Sequence, residues 1–315
     1  MNPQDVRVVF MGSPEFAVPS LNALRGAGYQ VVAAVSQPDR PAGRGGATKP
    51  PAVKLAALGH GLPVLQPASF QDEGVRAHLA SLTADLFVVA AYGKILPRAV
   101  LALPSRGCVN VHASLLPRWR GPSPINAAVL AGDSETGVTI MEMSAKMDAG
   151  PIIAVARYPL RGDVFAGEAE RDLAALGART LVASLPPWYA GDLAAEPQDE
   201  ALVTYCPLLA KADGHLSASM TAVEAERAVR AYNPWPGAFV QYRGARLAVW
   251  RARVVPDSPA HRPGSLVLLG REPAVALARG LLVLEEVQRG GSRRMPGAAF
   301  VNGERSNLAP EVVLA

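Results

Sequence analysis

Short apolar runs and longer stretches with helical spacing alternate along the first half of the chain. Five runs are typical of β-strands, and the run at 85–91 is almost continuously apolar, as in a strand covered on both faces. The stretches between them have helical spacing and end near glycines. The predicted strands are 6–11, 30–35, 85–91, 108–111 and 137–143, and the predicted helices are 14–28, 51–61, 71–82 and 124–133. This alternation predicts an α/β fold with a doubly wound, mostly parallel sheet.

The pattern changes after a further helical stretch at 166–185. The residues that follow are rich in Pro, Ala and acidic side chains, and we interpret 188–208 as a linker. A predicted helix at about 221–232 then precedes five short apolar runs, at 238–244, 245–255, 264–270, 273–280 and 281–287. Short strands separated by Gly and Pro turns predict a small antiparallel barrel or sandwich. We therefore expect a first domain over 1–187 and a second, smaller domain over 209–315.

Charge is distributed unevenly between these two parts of the chain. Residues 209–315 contain 14 Lys and Arg against 9 Asp and Glu, whereas residues 1–208 contain 17 against 18. The second part therefore carries the whole excess behind the formal charge of +4. Such asymmetry favours a polyanionic partner, although a soluble domain of moderate charge without one is the alternative.

Several classes of protein fit this sequence poorly. No run approaches the ~20 apolar residues that span a bilayer, and the first apolar run is too short for a signal peptide, so we expect a cytoplasmic protein with no membrane partner. Cys108 and Cys206 form no CxxC pair, which argues against a disulfide framework or a zinc ribbon. The first strand ends in GSPEF, which lacks the glycines that cradle the pyrophosphate of NAD or FAD.

The strand at 108–111 leads directly into a group of residues suited to chemistry. Asn110 and His112 are two positions apart, so in a strand both side chains point to the same face. An amide donor beside an imidazole can stabilise an oxyanion and move a proton at one carbon. Asp148, in a glycine-containing loop after the next predicted strand, would orient the imidazole and complete a set for acyl transfer. The alternatives are a surface histidine in a capped loop and an aspartate that only forms a turn.

The connection at 36–54 is unusually long and basic. It contains Arg40, Arg44, Lys49 and Lys54 against a single Asp, together with several prolines and glycines. A connection of this length without secondary structure is uncommon in a compact domain unless it is functional or disordered. We interpret it as a loop that contacts the phosphates of RNA, with a solvated loop as the alternative.

Five motifs in order resemble those of the methionyl-tRNA formyltransferases, a branch of the folate-dependent formyltransferases. They are QPDRPAGRG, AYGKILP, NVHASLLPRWRG, GVTIMEM followed by MDAG, and RAYNPWP, and the resemblance runs from about residue 5 to beyond residue 250. It implies a Rossmann-like catalytic domain and an OB-like domain that holds the acceptor arm of tRNA. It also implies 10-formyltetrahydrofolate as formyl donor, initiator methionyl-tRNA as acceptor and no metal. We expect the protein to act as a monomer.

The resemblance also assigns roles to individual residues. The catalytic residues would be Asn110, His112 and Asp148. The folate site would be lined by Ser114, Leu115, Leu116 and Pro117, and an apolar slot for the pterin would be formed by Val88, Val89, Ala90, Tyr92, Gly93, Ile95 and Leu96. The contacts with tRNA would come from Arg40, Arg44, Lys49 and Lys211, with Arg44 sensing an unpaired first base pair. Further candidates in the second domain are Arg243, Arg246, Arg251, Arg253, Arg293 and Arg294.

The sequence departs from the family pattern at several positions. Ser144 replaces an Asp and Ala149 a Thr in the loop around Asp148, and Leu208 replaces the first of two lysines near Lys211. The family's IDW is absent, and His215 and Leu216 stand in that region.

Other functions compete with this interpretation. A sugar-nucleotide formyltransferase would share the catalytic trio but would have no use for the basic loop, and a glycinamide ribonucleotide formyltransferase would normally end near the close of the first domain. A tRNA-binding module without activity would have a broken trio, and an NAD-dependent oxidoreductase would need the missing glycines.

Overall fold

The computed structural model describes residues 2–41, 48–256 and 261–304. The chain divides into two compact units. The first comprises Met1–Pro124, Glu135–Pro159 and Glu170–Pro207, and the second comprises Ile125–Ser134, Leu160–Ala169 and Leu208–Ala315. The second unit therefore takes two segments that lie between those of the first unit along the chain.

The first half of the chain contains alternating strands and helices. The strands are β1 (Arg7–Gly12), β2 (Gln30–Val35), β3 (Arg40–Pro41), β4 (Thr48–Lys49), β5 (Val64–Leu65), β6 (Leu86–Ala90), β7 (Cys108–His112), β8 (Glu135–Glu142) and β9 (Ile152–Pro159). The helices are α1 (Val18–Gly26), α2 (Ala52–Gly59), α3 (Glu73–Ser81), α4 (Arg98–Leu101), α5 (Pro124–Ala131) and α6 (Ala166–Ala190). The five strands predicted in this half are therefore present as β1, β2, β6, β7 and β8.

The main sheet of the first unit has the order β5-β2-β1-β6-β7-β8-β9. Strands β5, β2, β1, β6 and β7 pair in parallel, whereas β7 with β8 and β8 with β9 pair antiparallel. The prediction of an α/β fold with a mostly parallel sheet is confirmed. The strand order reverses between β1 and β6, and in such sheets ligands bind beyond the carboxyl ends of the strands near this point.

The core of this unit consists of side chains from the central strands. Val9, Met11, Phe87 and Val89 pack in one buried cluster that also contains Leu79 of α3. Helix α3 begins at a favourable cap, since the carboxylate of Asp72 accepts hydrogen bonds from two amides of the first turn. Strands that are buried on both faces need apolar residues at consecutive positions, which explains why they could be predicted from apolar runs.

Helix α6 extends into the segment that we interpreted as a linker. The helix continues through Pro186 and Pro187 to Ala190, so the residues from 188 to 190 are helical. The chain then turns, with the amides of Asp192 and Leu193 both donating to the carbonyl of Pro187.

The long basic connection also has more structure than predicted. Strands β3 and β4 pair antiparallel, with Arg40 opposite Lys49, and form what we call the basic hairpin. Its base is held by Asp39, whose carboxylate accepts hydrogen bonds from Lys54 and Gln66, at 2.7 Å each. Because these bonds stabilise the charged form, the pKa of Asp39 lies below its usual value. Arg44 lies outside the described residues.

The second unit is built on an antiparallel sheet. Its strands are β10 (Phe239–Tyr242), β11 (Ala245–Val255), β12 (Leu266–Leu269), β13 (Glu272–Ala276), β14 (Leu281–Arg289) and β15 (Met295–Pro296), and its later helices are α7 (Ala222–Ala231) and α8 (Gly297–Gly303). The sheet runs in the order β10-β11-β14-β13-β12, with β15 on β14, and it curls into a half-barrel. The predicted antiparallel β-domain is confirmed, whereas α8 was not predicted.

Two side chains fix the start of helix α7. Thr221 accepts a hydrogen bond from the amide of Glu224, and the Glu224 carboxylate accepts one from the amide of Thr221. This reciprocal pair is a capping box. Among the described residues, no helix is both long enough and apolar enough to cross a membrane.

Candidate active site

Strand β7 positions Asn110 and His112 beside the centre of the sheet. Asn110 lies between Val89 of β6 and Met141 of β8, and the alternation of the strand places its side chain on the same face as that of His112. His112 is buried, with 6% of its surface exposed, whereas Asn110 is half-buried. Within the described part of the chain, the Asn110 carboxamide makes no hydrogen bond, so its donors are available to a bound molecule.

The ring of His112 lies between two oxygen atoms. Its Nε2 is 2.9 Å from the carbonyl oxygen of Trp119. Because a carbonyl can only accept, this nitrogen carries a hydrogen and donates it. The other nitrogen, Nδ1, is 3.8 Å from Oδ2 of Asp148. A proton on Nδ1 would therefore face a carboxylate, and the ring is oriented from both sides.

Asp148 reaches His112 by a route that the sequence did not predict. Strand β8 runs antiparallel to β7, so its end at Glu142 lies opposite Val109 and not opposite His112. The loop 143–151 brings Asp148 to the imidazole. The carboxylate also accepts a hydrogen bond from the amide of Gly121, at 2.9 Å. Asp148 has a φ of +48°, an uncommon conformation for a residue with a side chain.

The loop after β7 is held by hydroxyl groups from three segments. Ser114 donates to the carbonyl of Arg118 at 2.7 Å, and Thr139 of β8 donates to the carbonyl of Ser114 at 2.7 Å. The amide of Trp119 donates to Oγ1 of Thr204 at 2.9 Å. These bonds fix the turn that aims the Trp119 carbonyl at His112. Thr139 and Thr204 were not predicted, because nothing in their local sequence indicates these distant partners.

The segment 196–206 forms hydrogen bonds with the loop after β7, although its amino-acid composition had indicated a linker. The amide of Arg120 donates to the carbonyl of Thr204, and the amide of Cys206 donates back to the carbonyl of Arg120. Residue 121 must be glycine here, since a Cβ at Gly121 would lie 2.2 Å from the carbonyl oxygen of Cys206. The segment therefore forms one wall of the site.

The side chain of Arg120 is buried in this wall, with 2% of its surface exposed. Its Nη2 lies 2.8 Å from a carboxylate oxygen of Glu200 and 2.8 Å from Oε1 of Gln198. Burial opposes its charge, but hydrogen bonds with Glu200 and Tyr205 outweigh this and raise the pKa of the guanidinium. Arg120 therefore stays positively charged inside the wall.

Both cysteines of the first unit are buried and unpaired. Burial raises the pKa of Cys108 to about 12 and also raises that of Cys206. Buried thiols of this kind are unreactive, and neither cysteine has a role in the proposed chemistry.

The residues predicted to bind folate lie at the ends of two adjacent strands. Strand β6 carries Val88, Val89 and Ala90 beside β7, and all three are buried. Of the residues that follow, Tyr92 and Leu96 are buried, whereas Gly93 is exposed and Ile95 has 88% of its surface exposed. An apolar side chain as open as Ile95 is suited to contact the ring of a ligand. Ser114, Leu115, Leu116 and Pro117 follow His112 directly, so the two sets are neighbours.

The cations predicted to bind tRNA are in different environments. Arg40 and Lys49 are exposed on the basic hairpin, and Lys211 is exposed at the start of a 3-10 helix in the second unit. Lys54, also counted in the basic loop, forms an ion pair with Asp39 at 2.7 Å. Lys54 is therefore a structural residue of the hairpin base.

Five candidate arginines of the second unit differ in their partners. Arg243 and Arg253 form ion pairs with glutamates. Arg246 donates to two backbone carbonyls and also lies over an aromatic ring. Arg251 and Arg294 lie over aromatic rings as well, with Arg294 3.5 Å from the centroid of Trp250. Those paired with glutamates have less charge to offer to a phosphate.

Two family models together match most of the chain. A family model described as "Formyl transferase" matches residues 6–186, and one described as "Formyl transferase, C-terminal domain" matches residues 208–305. The chain belongs to the formyl transferase family. It is 49% identical over 302 residues to the methionyl-tRNA formyltransferase of Roseiflexus sp. (strain RS-1), an alignment that covers 95% of this chain and 93% of the relative. The resemblance inferred from the motifs is confirmed.

Two solved structures share the fold at low sequence identity. HypX from Aquifex aeolicus in complex with tetrahydrofolic acid is 18% identical, with a TM-score of 0.63 over 97% of this chain, which spans 48% of HypX. The N-formyltransferase from Helicobacter canadensis, in complex with folinic acid and dTDP-3-aminofucose, is 13% identical, with a TM-score of 0.66 over 89% of this chain and 99% of that one. At these identities the likeness concerns the fold alone.

Proposed function

We propose that this protein transfers the formyl group of 10-formyltetrahydrofolate to the α-amino group of methionine on initiator tRNA. The observation that carries the chemistry is the buried His112, with one ring nitrogen at the Trp119 carbonyl and the other 3.8 Å from the Asp148 carboxylate. Relatives that match almost the whole chain and are named methionyl-tRNA formyltransferase support the choice of acceptor.

The nucleophile in this reaction needs little activation. An α-amino group titrates near ~7.7–8.0, so a neutral fraction exists at pH 7. The amine attacks the formyl carbon, and a new C–N bond forms as the carbonyl oxygen becomes an oxyanion. The bond from carbon to N10 of the folate then breaks, and the proton lost by the amine is transferred to N10. As proposed, the reaction requires neither a metal nor a covalent intermediate with the protein.

The site residues supply charge stabilisation and proton transfer. Asn110 has free amide donors on the face that it shares with His112, and a donor aimed at an oxyanion is typically worth ~10²–10³ in rate. His112, when protonated, adds positive charge beside the same atom and can give its proton to the leaving nitrogen. Asp148, whose Oδ2 lies 3.8 Å from Nδ1, orients the ring.

The donor would bind beside these residues. Ile95 offers an exposed apolar side chain next to the buried Tyr92 and Leu96, and the 114–117 loop lies beyond His112 on the adjacent strand. A flat pterin ring requires an apolar slot with backbone donors and acceptors, and the exposed backbone at Gly93 fits this requirement.

The acceptor would be held by positive charge. We assign its phosphates to Arg40, Lys49 and Lys211, and to Arg44 beyond the described residues. Among the second-unit candidates, we favour Arg251, Arg293 and Arg294 over those bound to glutamates. We further propose that the protein acts as a monomer in the cytoplasm.

A sugar nucleotide is the second candidate acceptor. The Helicobacter canadensis enzyme, whose complex includes dTDP-3-aminofucose, shares the fold with this chain. The exposed Arg40 and Lys49 of the basic hairpin favour tRNA, because a nucleic acid presents many phosphates to such cations and a single sugar nucleotide presents few.

A formylation assay would test the function. Radiolabelled methionyl-tRNA and 10-formyltetrahydrofolate would be supplied to wild type, His112→Ala and Arg44→Ala, with an elongator methionyl-tRNA and a dTDP-amino sugar as competing acceptors. We expect wild type to formylate the initiator only, His112→Ala to lose turnover, and Arg44→Ala mainly to weaken use of the initiator. Formylation of the sugar nucleotide but not of methionyl-tRNA would support the proposed formyl transfer and contradict the proposal that tRNA is the acceptor.

A further inference from the structure

The side chain of Gln198 joins the two loops that meet at His112. Its Nε2 donates to the carbonyl oxygens of Asp148 and Gly150, at 2.8 Å each. Its Oε1 accepts two hydrogen bonds from Arg120, at 3.0 Å from Nε and 2.8 Å from Nη2. One half-buried amide thus connects the loop 143–151 to the loop after β7.

Only a carboxamide fits this position. Two carbonyls require two N–H donors, a guanidinium requires an acceptor, and the glutamine side chain provides both. A glutamate would place a carboxylate against two carbonyl oxygens. An apolar residue would leave the charge of Arg120 with fewer partners in a buried place.

The loop that carries Asp148 needs such support. Asp148 adopts a φ of +48°, which costs free energy for a residue with a side chain. Gly150 is packed so closely that an added Cβ would lie 1.8 Å from the carbonyl oxygen of Glu142. The carboxylate is 3.8 Å from His112, so a small rotation of the Asp148 backbone changes whether it faces the ring.

We propose that Gln198, fixed by Arg120, is a positioning residue that sets the orientation of Asp148 toward His112. Neither residue is placed against the reacting atoms. The inference rests on the proposed function for its kinetic test, but the geometric claim can be tested separately.

Glu200 provides a matched control. It binds the same guanidinium as Gln198, at 2.8 Å, but its side chain is 73% exposed. The hydrogen bond with Arg120 lowers the pKa of Glu200, and the charge of Lys146 adds to this. Within the described residues, the interaction of Glu200 with the loop 143–151 is limited to that charge. If Arg120 only stabilises the fold, then Glu200→Ala and Gln198→Ala should have similar effects. If the hydrogen bonds from Gln198 to the Asp148 loop are needed for catalysis, only Gln198→Ala should impair turnover.

The kinetic test compares these variants in the formylation reaction. We expect Gln198→Ala to lower kcat by about 10- to 100-fold while the KM for folate and for tRNA changes less than about threefold, because a misaligned group affects the chemical step. Glu200→Ala should lower kcat less than about threefold. In Asp148→Asn, adding Gln198→Ala should cost much less than it does in wild type, since the two residues act through one interaction. Equal effects in both backgrounds would overturn the proposal.

A spectroscopic test does not depend on the acceptor. With 15N-labelled histidine and His112→Ala for assignment, the ring nitrogen signals of His112 should move in Gln198→Ala and stay in place in Glu200→Ala. Unchanged signals in Gln198→Ala would overturn the inference, whatever substrate the enzyme uses. If wild type did not formylate methionyl-tRNA but the His112 signals moved in Gln198→Ala, the proposed function would be wrong and the positioning role of Gln198 would be supported. Gln198→Met, which keeps the chain length, replaces the alanine variant if that variant unfolds.

Discussion

The Asp148 loop and the basic hairpin are both anchored by a glutamine, but with different results. Gln198 bonds the backbone of the Asp148 loop itself and is backed by a buried arginine. Gln66 bonds only the base of the hairpin, at Asp39 and at the carbonyl of Gln37, and the cations of Arg40 and Lys49 beyond it remain exposed. One loop is fixed at its functional residue and the other only at its base.

This difference matches the two kinds of task. A carboxylate that orients a catalytic ring must be placed within a fraction of an ångström, because misplacement lowers the rate steeply. A cation that attracts phosphates acts over several ångströms, and its contribution is reduced by salt. Substitutions in the first loop should therefore change turnover, and substitutions in the hairpin should change binding of the acceptor.

The largest effect is expected at Asn110. Asn110→Ala should lower kcat by about 10²–10³-fold because one oxyanion donor is lost, and Asn110→Asp should lower it further because a negative charge stands where the oxyanion forms. Single-turnover formylation would measure both. Thermal unfolding should be almost unchanged by Asn110→Ala, because the side chain makes no hydrogen bond within the described residues. Near-native turnover in both variants would contradict the oxyanion role.

Gly121→Ala should reduce both stability and activity. Gly121 has a φ of +122°, and an added Cβ would lie 2.2 Å from the carbonyl of Cys206, so the wall of the site must shift and its bond to Asp148 with it. We expect a loss of roughly 2–4 kcal/mol in the free energy of unfolding, from strain and displacement together. Urea unfolding and formylation would measure the two effects.

The variant Gly191→Ala separates the cost of a positive φ from the cost of a steric clash with the added Cβ. Gly191 also has a positive φ, of +82°, but an added Cβ meets nothing within 4 Å. It should cost only about 1 kcal/mol and leave turnover intact. Equal losses in the two variants would show that the close packing at Gly121 is unimportant.

The hairpin cations should have a moderate, salt-dependent effect. Arg40→Ala combined with Lys49→Ala should raise the KM for tRNA about 3- to 30-fold at low salt and leave kcat and the KM for folate nearly unchanged. It should also reduce the slope of log affinity against log salt by about one for each phosphate that the variant no longer binds. Filter binding at several salt concentrations would measure this. Arg157→Ala, which removes an exposed arginine that is paired with Glu135, is the control and should have no effect.

The smallest effect is expected from the acid titration of Asp39. Its lowered pKa means that its bonds to Gln66 and Lys54 stabilise the fold above the usual pKa of an aspartate, and that this stabilisation is lost as the pH falls through the lowered value. The difference in urea midpoint between wild type and Asp39→Asn should therefore be constant near neutral pH and shrink in acid. A difference that persisted at about pH 2 would contradict this assignment.

Much of the first unit could be predicted because its strands are buried on both faces. A continuous apolar run as short as that of β6, bounded by turn residues, fits a buried strand, and its five residues are too few for a typical helix. The edge strand β9 was missed, although its first five residues, 152–156, are apolar, and most of its side chains are half-buried or exposed. The period of a strand also predicted that Asn110 and His112 share a face.

The rest of the site depended on partners far away in sequence. The contact of Asp148 with His112 was expected from neighbouring strand ends, but β8 runs antiparallel to β7 and ends opposite Val109, so it is the loop 143–151 that makes the contact. Gln198 and Thr204 lie in a polar segment whose hydrogen bonds go to distant loops, and composition cannot distinguish such a segment from a linker. The limits of the two domains and the roles of the individual residues remain predictions.

The wall of the site also has a consequence for the order of folding. Arg120 meets Gln198, which lies 78 positions further along the chain, so the wall of the site is completed only when that later segment is present. On the ribosome, the strand β7 that carries Asn110 and His112 emerges well before the segment that completes their surroundings. We expect a nascent chain to contain the sheet for several seconds before it contains a working catalyst.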